Sequence, residues 1–245
     1  MNANLPASLP DNVQQVLGDF VASARGAFGG DLVSIVLFGS AAEGRLRPLS
    51  DVNVLVVLSA FDRTKADRLR EPLRTAHAAI RLSAMFLLEA EFQPAIEAFA
   101  VKFGDIARRH VILHGRDPFA GATVPREASV RRLKQVLLNL SLRMREIYIA
   151  RSLREEQIVA AICDNAGPLR ACAATLMELQ GASTGSPKEA LEKVAAVLVP
   201  ETAASLMAKI TEARVAGALP PGTAGTVFCD LADLAHRMWL AAAKL

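Results

Sequence analysis

Aromatic residues are scarce in this chain of 245 residues: they make up 5% of it, with one tryptophan and one tyrosine. Interleaved aromatic and basic side chains are what single-stranded nucleic acids stack on, so that platform is missing. Blocks of like charge are missing too. The 28 basic and 25 acidic residues are mixed along the chain and leave a net charge of only +3, which excludes a polyanion-binding tail. Nucleic acid is therefore not indicated as a partner. Cysteine is rare, and Cys163, Cys172 and Cys229 have neither CxxC spacing nor a histidine at ligand distance in sequence. That argues against a disulfide framework or a zinc site and predicts buried, reduced thiols in a cytoplasmic protein. Long apolar runs are absent as well: no stretch reaches the roughly 18 residues of a membrane span. The opening MNANLPASLPDN lacks the basic and then apolar segments of a secretory signal. What the chain does have is apolar content, 52% of its residues, enough to bury a sizeable core.

The pattern of that apolar content changes along the chain. Asp11 with Gln14 three residues later reads as a helix start, and Val13, Val16, Leu17, Phe20 and Val21 then follow helical spacing up to Gly29-Gly30. Two β-branched runs come next, LVSIVLF at 32–38 and VLVVL at 54–58. Both are bounded by turn residues, which is how strands covered on both faces read. A helix is expected over 63–81 despite Pro72, then a strand AMFLL at 84–88, a brief helix over 91–99, and a turn at Asp117-Pro118. After Pro125 only long amphipathic stretches remain, at about 127–151, 153–180, 187–199, 201–216 and 223–244, so a domain boundary is placed near residue 120. Ser152 with Glu155, and Ser186 with Pro187 and Glu189, read as helix caps. Gly167-Pro168 should kink or divide the second of these helices.

Chemistry is concentrated in LFGSAAEGRLRPLSDVNVLVVL. A strand ends at Phe38, Gly39-Ser40 turns the chain, and a second strand opens with Ser50-Asp51-Val52-Asn53. Glycine lets a backbone approach phosphate oxygens, and successive amides with a serine hydroxyl donate to them. Acidic side chains at i and i+2 on a strand share a face and can hold magnesium ions that polarise a phosphorus.

The stretch resembles the nucleotidyltransferase superfamily (the DNA polymerase β-like fold), whose pattern is Gly-Ser after the first strand and Asp-x-Asp opening the second. Gly44, Pro48 and Ser50 also fall where the small antibiotic-modifying and antitoxin-type members have Gly, Pro and Ser. The resemblance implies an α+β domain with a small mixed sheet over residues 1–120, followed by an all-α bundle over 121–245. It implies Gly39 and Ser40 as nucleotide-binding residues, Asp51 as the catalytic carboxylate and Asp51 with Asn53 as metal positions. It further implies a nucleoside triphosphate as partner, magnesium as cofactor and a hydroxyl as acceptor.

Three departures bear on activity. Asn53 stands where the second carboxylate is expected and lacks its charge. A unit charge pair at about 4 Å is worth roughly 4 kcal/mol at an effective dielectric of 20, about a thousandfold in rate if lost from the transition state. The resemblance also implies a third carboxylate on the next strand, where residues 84–88 are all apolar. Glu89 or Glu91 would substitute only if that strand ended early. Finally, Ala41 and Glu43 stand where relatives carry basic residues, with Arg45 and Arg47 as alternative sources of positive charge. Magnesium binding is accordingly expected to be weak or limited to one ion. A catalytically degenerate nucleotide sensor or protein-interaction module is the alternative reading.

The helical half offers no catalytic signature. Its segment 167–198 resembles the partner domain of the kanamycin and lincosamide nucleotidyltransferases and of HEPN proteins, which implies acceptor-binding or dimer contacts. Glu146, Tyr148 and Glu155 are candidates to face a cleft, and exposed apolar helix faces would suit a homodimer. The Arg70 to His77 spacing matches the HEPN ribonuclease motif but falls in the wrong half of the chain. His110, His114 and His236 have no metal-spaced partners and read as structural. Arg131, Arg132, Lys134, Arg143, Arg145, Arg151 and Arg154 read as a solvated helix face.

Overall fold

The computed structural model describes residues 5–47, 50–183 and 185–245, so Pro48 lies outside the described residues. The chain divides into two compact units, one comprising 1–96 and 103–123, the other 97–102 and 124–245.

Along the first part of the chain, α1 (Asp11–Phe28) leads into β1 (Leu32–Phe38), β2 (Val52–Leu58), α2 (Arg63–Ile80), β3 (Leu82–Leu88), α3 (Phe92–Ala98), α4 (Ala100–Arg108) and β4 (His110–Gly115), all in the first unit except residues 97–102 of α3 and α4. Sheet order is β3-β2-β1-β4. β1 is antiparallel to both β2 and β4, while β2 and β3 run parallel across the α2 crossover. The sheet is therefore mixed, as the sequence led us to expect, but β4 is an addition. Alternation sends Ile35, Leu37, Val52, Val54, Val56 and Leu58 into one core with Phe20, Phe28, Leu17 and Leu69 of the helices. Val36, Leu55 and Val57 on the opposite face are buried too, which explains why both central strands read as unbroken apolar runs. Each fully buried phenylalanine contributes about 1.5–3 kcal/mol of transfer free energy.

Helix ends show how the chain is steered. α1 starts after Pro10 with no side-chain cap, and Gln14 instead donates from Nε2 to the Leu9 carbonyl at 2.7 Å. The Asp11–Gln14 start signal thus marks the right place by a different contact. α2 is capped by Asp62, whose carboxylate accepts from the Lys65 amide at 2.8 Å, and it runs unbroken through Pro72. Its last turn closes on Arg81, at φ 54° and ψ 37°, the only non-glycine residue with positive φ among the described residues. Left-handed backbone costs a side-chain-bearing residue roughly 1–2 kcal/mol, which is why glycine is usual there.

The second unit contains α5 (Arg126–Arg151), α6 (Glu155–Leu179), α7 (Pro187–Leu198), α8 (Ala203–Ala216) and α9 (Ala224–Ala243). Its core draws on all five, with Leu137, Ile162, Leu191, Ile210 and Phe228 fully or almost fully buried. Ser186 and Glu189 form the expected capping box. The one expected at Ser152 and Glu155 does not form: Ser152 ends α5, Arg154 precedes α6, and the Glu155 carboxylate accepts the Gly222 amide at 2.9 and 3.0 Å. Pro168 does not divide α6. Burial of Asn165, Ala166, Leu169 and Cys172 on either side of it holds the helix in one piece, so packing outweighs the lost backbone hydrogen bond. Of the cysteines, only Cys172 is buried, and Cys229 is exposed on the outward phase of α9. No helix among the described residues is long and apolar enough to cross a membrane.

Candidate functional site

The register of the sheet assembles the site. Phe38 of β1 faces Asn53 of β2, so the Gly39-Ser40 turn leaves β1 at the end of the sheet where Asp51 leads into β2. Val52 faces Leu82 of the parallel β3, which sets Arg81 on the other flank of Asp51. The glycine turn, Asp51 and Arg81 thus lie at the same end of the sheet.

Residues 39–45 form one tight helical turn. The Glu43 amide donates to the Gly39 carbonyl at 3.3 Å, the Gly44 amide to Ala41 at 3.2 Å and the Arg45 amide to Ser40 at 2.8 Å. The last two bonds, with Gly44 left-handed at φ 66°, make a Schellman closure. Gly44 is doubly required, because a Cβ there would lie 2.5 Å from the Ser8 hydroxyl oxygen. Gly39 also has positive φ, 78°, but a Cβ there would meet open space. Glycine at 39 therefore serves backbone conformation and leaves room above the turn.

The turn is braced from behind by Arg109. Its carbonyl accepts the Gly39 amide at 3.3 Å. Its guanidinium donates to Glu43 at 3.1 Å and forks onto Asp105 of α4. Burial works against the charge of Arg109, yet the hydrogen bonds and charges of Asp105 and Glu43 hold its pKa above the ordinary value. Glu43, which in sequence looks like a repulsive charge next to a phosphate turn, is thereby paired with a cation. Arg47 keeps one buried guanidinium nitrogen with no hydrogen-bond partner among the described residues.

Asp51 is half exposed and its Oδ1 accepts from Nε of Arg81 at 2.7 Å. The Asn53 amide group donates to the Asp51 carbonyl at 3.4 Å. Across β3 the neighbour of Asn53 is Ser83. Glu89 and Glu91 do not substitute for the missing carboxylate. β3 runs to Leu88, which pairs with Leu58 at the opposite end of β2 from Asp51. There Glu89 is paired with Arg116, and Glu91 accepts the Leu88 amide at 2.9 Å.

These positions decide how well a metal fits. The fold family implies divalent ions on clustered carboxylates. Here one carboxylate is engaged by a guanidinium, its i+2 neighbour is neutral and β3 supplies none. Among the described residues no group of three or more His, Cys, Asp or Glu is arranged to hold a metal ion. The residues present do not fit the family's metal arrangement.

Comparison with known proteins bears on the fold. Residues 23–118 match the family profile described as nucleotidyltransferase domain. The chain thus carries a domain of the nucleotidyltransferase superfamily. A Methanocaldococcus jannaschii protein named "putative protein adenylyltransferase" is 38% identical over 56 residues, which span 23% of this chain and 38% of that protein. Spectinomycin adenyltransferase from Enterococcus faecialis, solved with ATP and spectinomycin, shares the fold with a TM-score of 0.65 at 13% identity. The match covers 91% of this chain and 98% of that one.

Sequence reasoning singled out Gly39, Ser40, Asp51 and Asn53 and did not single out Arg81 or Arg109. The only trace of Arg81 in sequence is an arginine between a helix and a strand, where glycine would be easier. Of the helical-half candidates, Tyr148 stacks on Phe228 with ring centroids 6.5 Å apart, Glu155 is bound to Gly222, and Glu146 is exposed.

Proposed function

We propose that this chain binds a nucleoside triphosphate at the Gly39–Ser40 turn and transfers its nucleotidyl group to a hydroxyl acceptor. The observation that supports this most is the register that brings the glycine turn alongside Asp51. Gly39 shapes the turn, Ser40 donates its hydroxyl and amide to phosphate oxygens, and Asp51 supplies the negative charge of the site. In the reaction the acceptor oxygen bonds to the α-phosphorus, the bond to the β-phosphate bridging oxygen breaks, pyrophosphate leaves and the hydroxyl proton is released. The names of the relatives make ATP the first nucleotide to try, with protein and spectinomycin hydroxyls as acceptors. A single magnesium ion carried in by the triphosphate would compete with Arg81 for Asp51 and find only the neutral Asn53 oxygen beside it, so the proposal does not rest on that ion.

Titrating nucleoside triphosphates, ATP first, into the full chain by calorimetry tests this reading. Binding that weakens about tenfold in Ser40→Ala, the worth of one hydrogen bond to a charged group, supports it. No binding of any triphosphate overturns it. Asn53 and the apolar β3 favour one second reading, a nucleotide sensor or interaction module without chemistry. Asn53→Asp separates the two: an enzyme lacking one charge gains metal affinity and pyrophosphate release, and a module gains neither.

A further inference from the structure

Arg81 has two features that need a common cause. It keeps a left-handed backbone that glycine would adopt without strain, and its guanidinium lies on the carboxylate at the centre of the site. Strained conformations retained at a site point to a role for the side chain they aim. Only Nε is used by Asp51. The four N–H groups on the two terminal nitrogens have no protein partner among the described residues, and the side chain is 58% exposed. A guanidinium fixed along one edge with its fork open is the geometry that takes two phosphate oxygens. Around it, Asn53 and the apolar β3 supply none of the carboxylate charge that a pair of divalent ions requires.

We propose that Arg81 is the resident cation of this site: held in place by Asp51, its guanidinium binds the phosphates of the nucleotide directly, so that the triphosphate is retained without a divalent ion. This rests on the triphosphate reading above. The ion pair with Asp51 orders the long side chain before the nucleotide arrives.

The test is calorimetric titration of ATP into the full chain, once in EDTA and once in magnesium, with the wild type, Arg81→Gln and Arg81→Gly. The wild type is expected to bind with affinities within about threefold of each other in the two conditions. Arg81→Gln should weaken binding about tenfold or more in EDTA, as loss of a bidentate charged contact does. Arg81→Gly should bind as weakly while melting at a higher temperature than the wild type, since it relieves the backbone and so separates lost binding from lost folding. Strictly magnesium-dependent binding by the wild type, with Arg81→Gln binding as tightly or more tightly, would make Arg81 a competitor of the metal. That result overturns this inference and leaves the triphosphate reading standing. Absence of binding in both conditions overturns both.

Discussion

α2 carries a cation near each end, and each reaches a carboxylate at one end of the same sheet, yet the two pairs differ in kind. At the start of the helix Lys65 is paired with Asp31, which also accepts the Ser59 hydroxyl at 3.1 Å, while the Ser59 amide bonds the Asp31 carbonyl at 2.9 Å. There both oxygens of the Asp31 carboxylate are engaged and the backbone is ordinary. At the far end Arg81 meets Asp51 from a left-handed residue, with open donors beside a glycine turn. The first arrangement is self-sufficient and reads as a staple. The second is incomplete in a way that a bound anion would complete, and that contrast, more than the identity of the residues, separates a structural ion pair from a functional one.

The contrast can be broken or sharpened by substitution. The largest effect is expected at Arg109, which braces the turn: Arg109→Met leaves Glu43 without its cation and Asp105 with only Arg108 at 3.7 Å, and should cost about 3 kcal/mol in urea unfolding, with ATP binding lost. Gly44→Ala comes next, at about 2 kcal/mol, because left-handed strain adds to the clash with Ser8. Gly39→Ala, with open space around it, should cost only about half as much. Lys65→Gln is smaller and more telling. It should lower the melting temperature slightly and leave ATP affinity unchanged, the reverse of Arg81→Gly, and a loss of ATP affinity in Lys65→Gln would erase the distinction between the two ends. The smallest effect concerns acid. The hydrogen bonds from Lys65 and Ser59 hold the Asp31 pKa below its usual 3.8. Their contribution to stability is therefore complete above the unfolded-state value and is lost as pH falls from there through the folded one. Asp31→Asn should therefore melt slightly below the wild type at neutral pH and converge with it below about pH 4, which flattens the acid limb.

Much of this molecule can be read from residue order, and the failures have physical reasons. β1, β2, α2 and the five long helices announce themselves because period and length agree. β4 does not: HVILHG is short, flanked by histidines and follows an amphipathic helix directly, and only pairing with β1 makes it a strand. The glycine turn and Asp51 are legible because their spacing is local. Arg81 and Arg109 are not, since the partners that tie them to the site, Asp51 and Glu43, lie 30 and 66 residues away in the chain. Ser152 and Glu155 misled because the cap pattern was satisfied in sequence while Glu155 had a better partner in Gly222.

β4 has one more consequence, which concerns the order of events during synthesis. Its register joins His110 to Phe38 and Gly115 to Ser34, partners about seventy to eighty residues apart, so the sheet closes through the longest loop in the first unit and pays its entropy late. The carbonyl that receives the Gly39 amide belongs to Arg109, the residue just before β4. A nascent chain released before β4 has emerged would hold β1, β2 and β3 but no brace for the glycine turn, and β1 would be left as an open edge able to pair with another chain. If the glycine turn binds a nucleotide as proposed, that competence arrives only with the last strand.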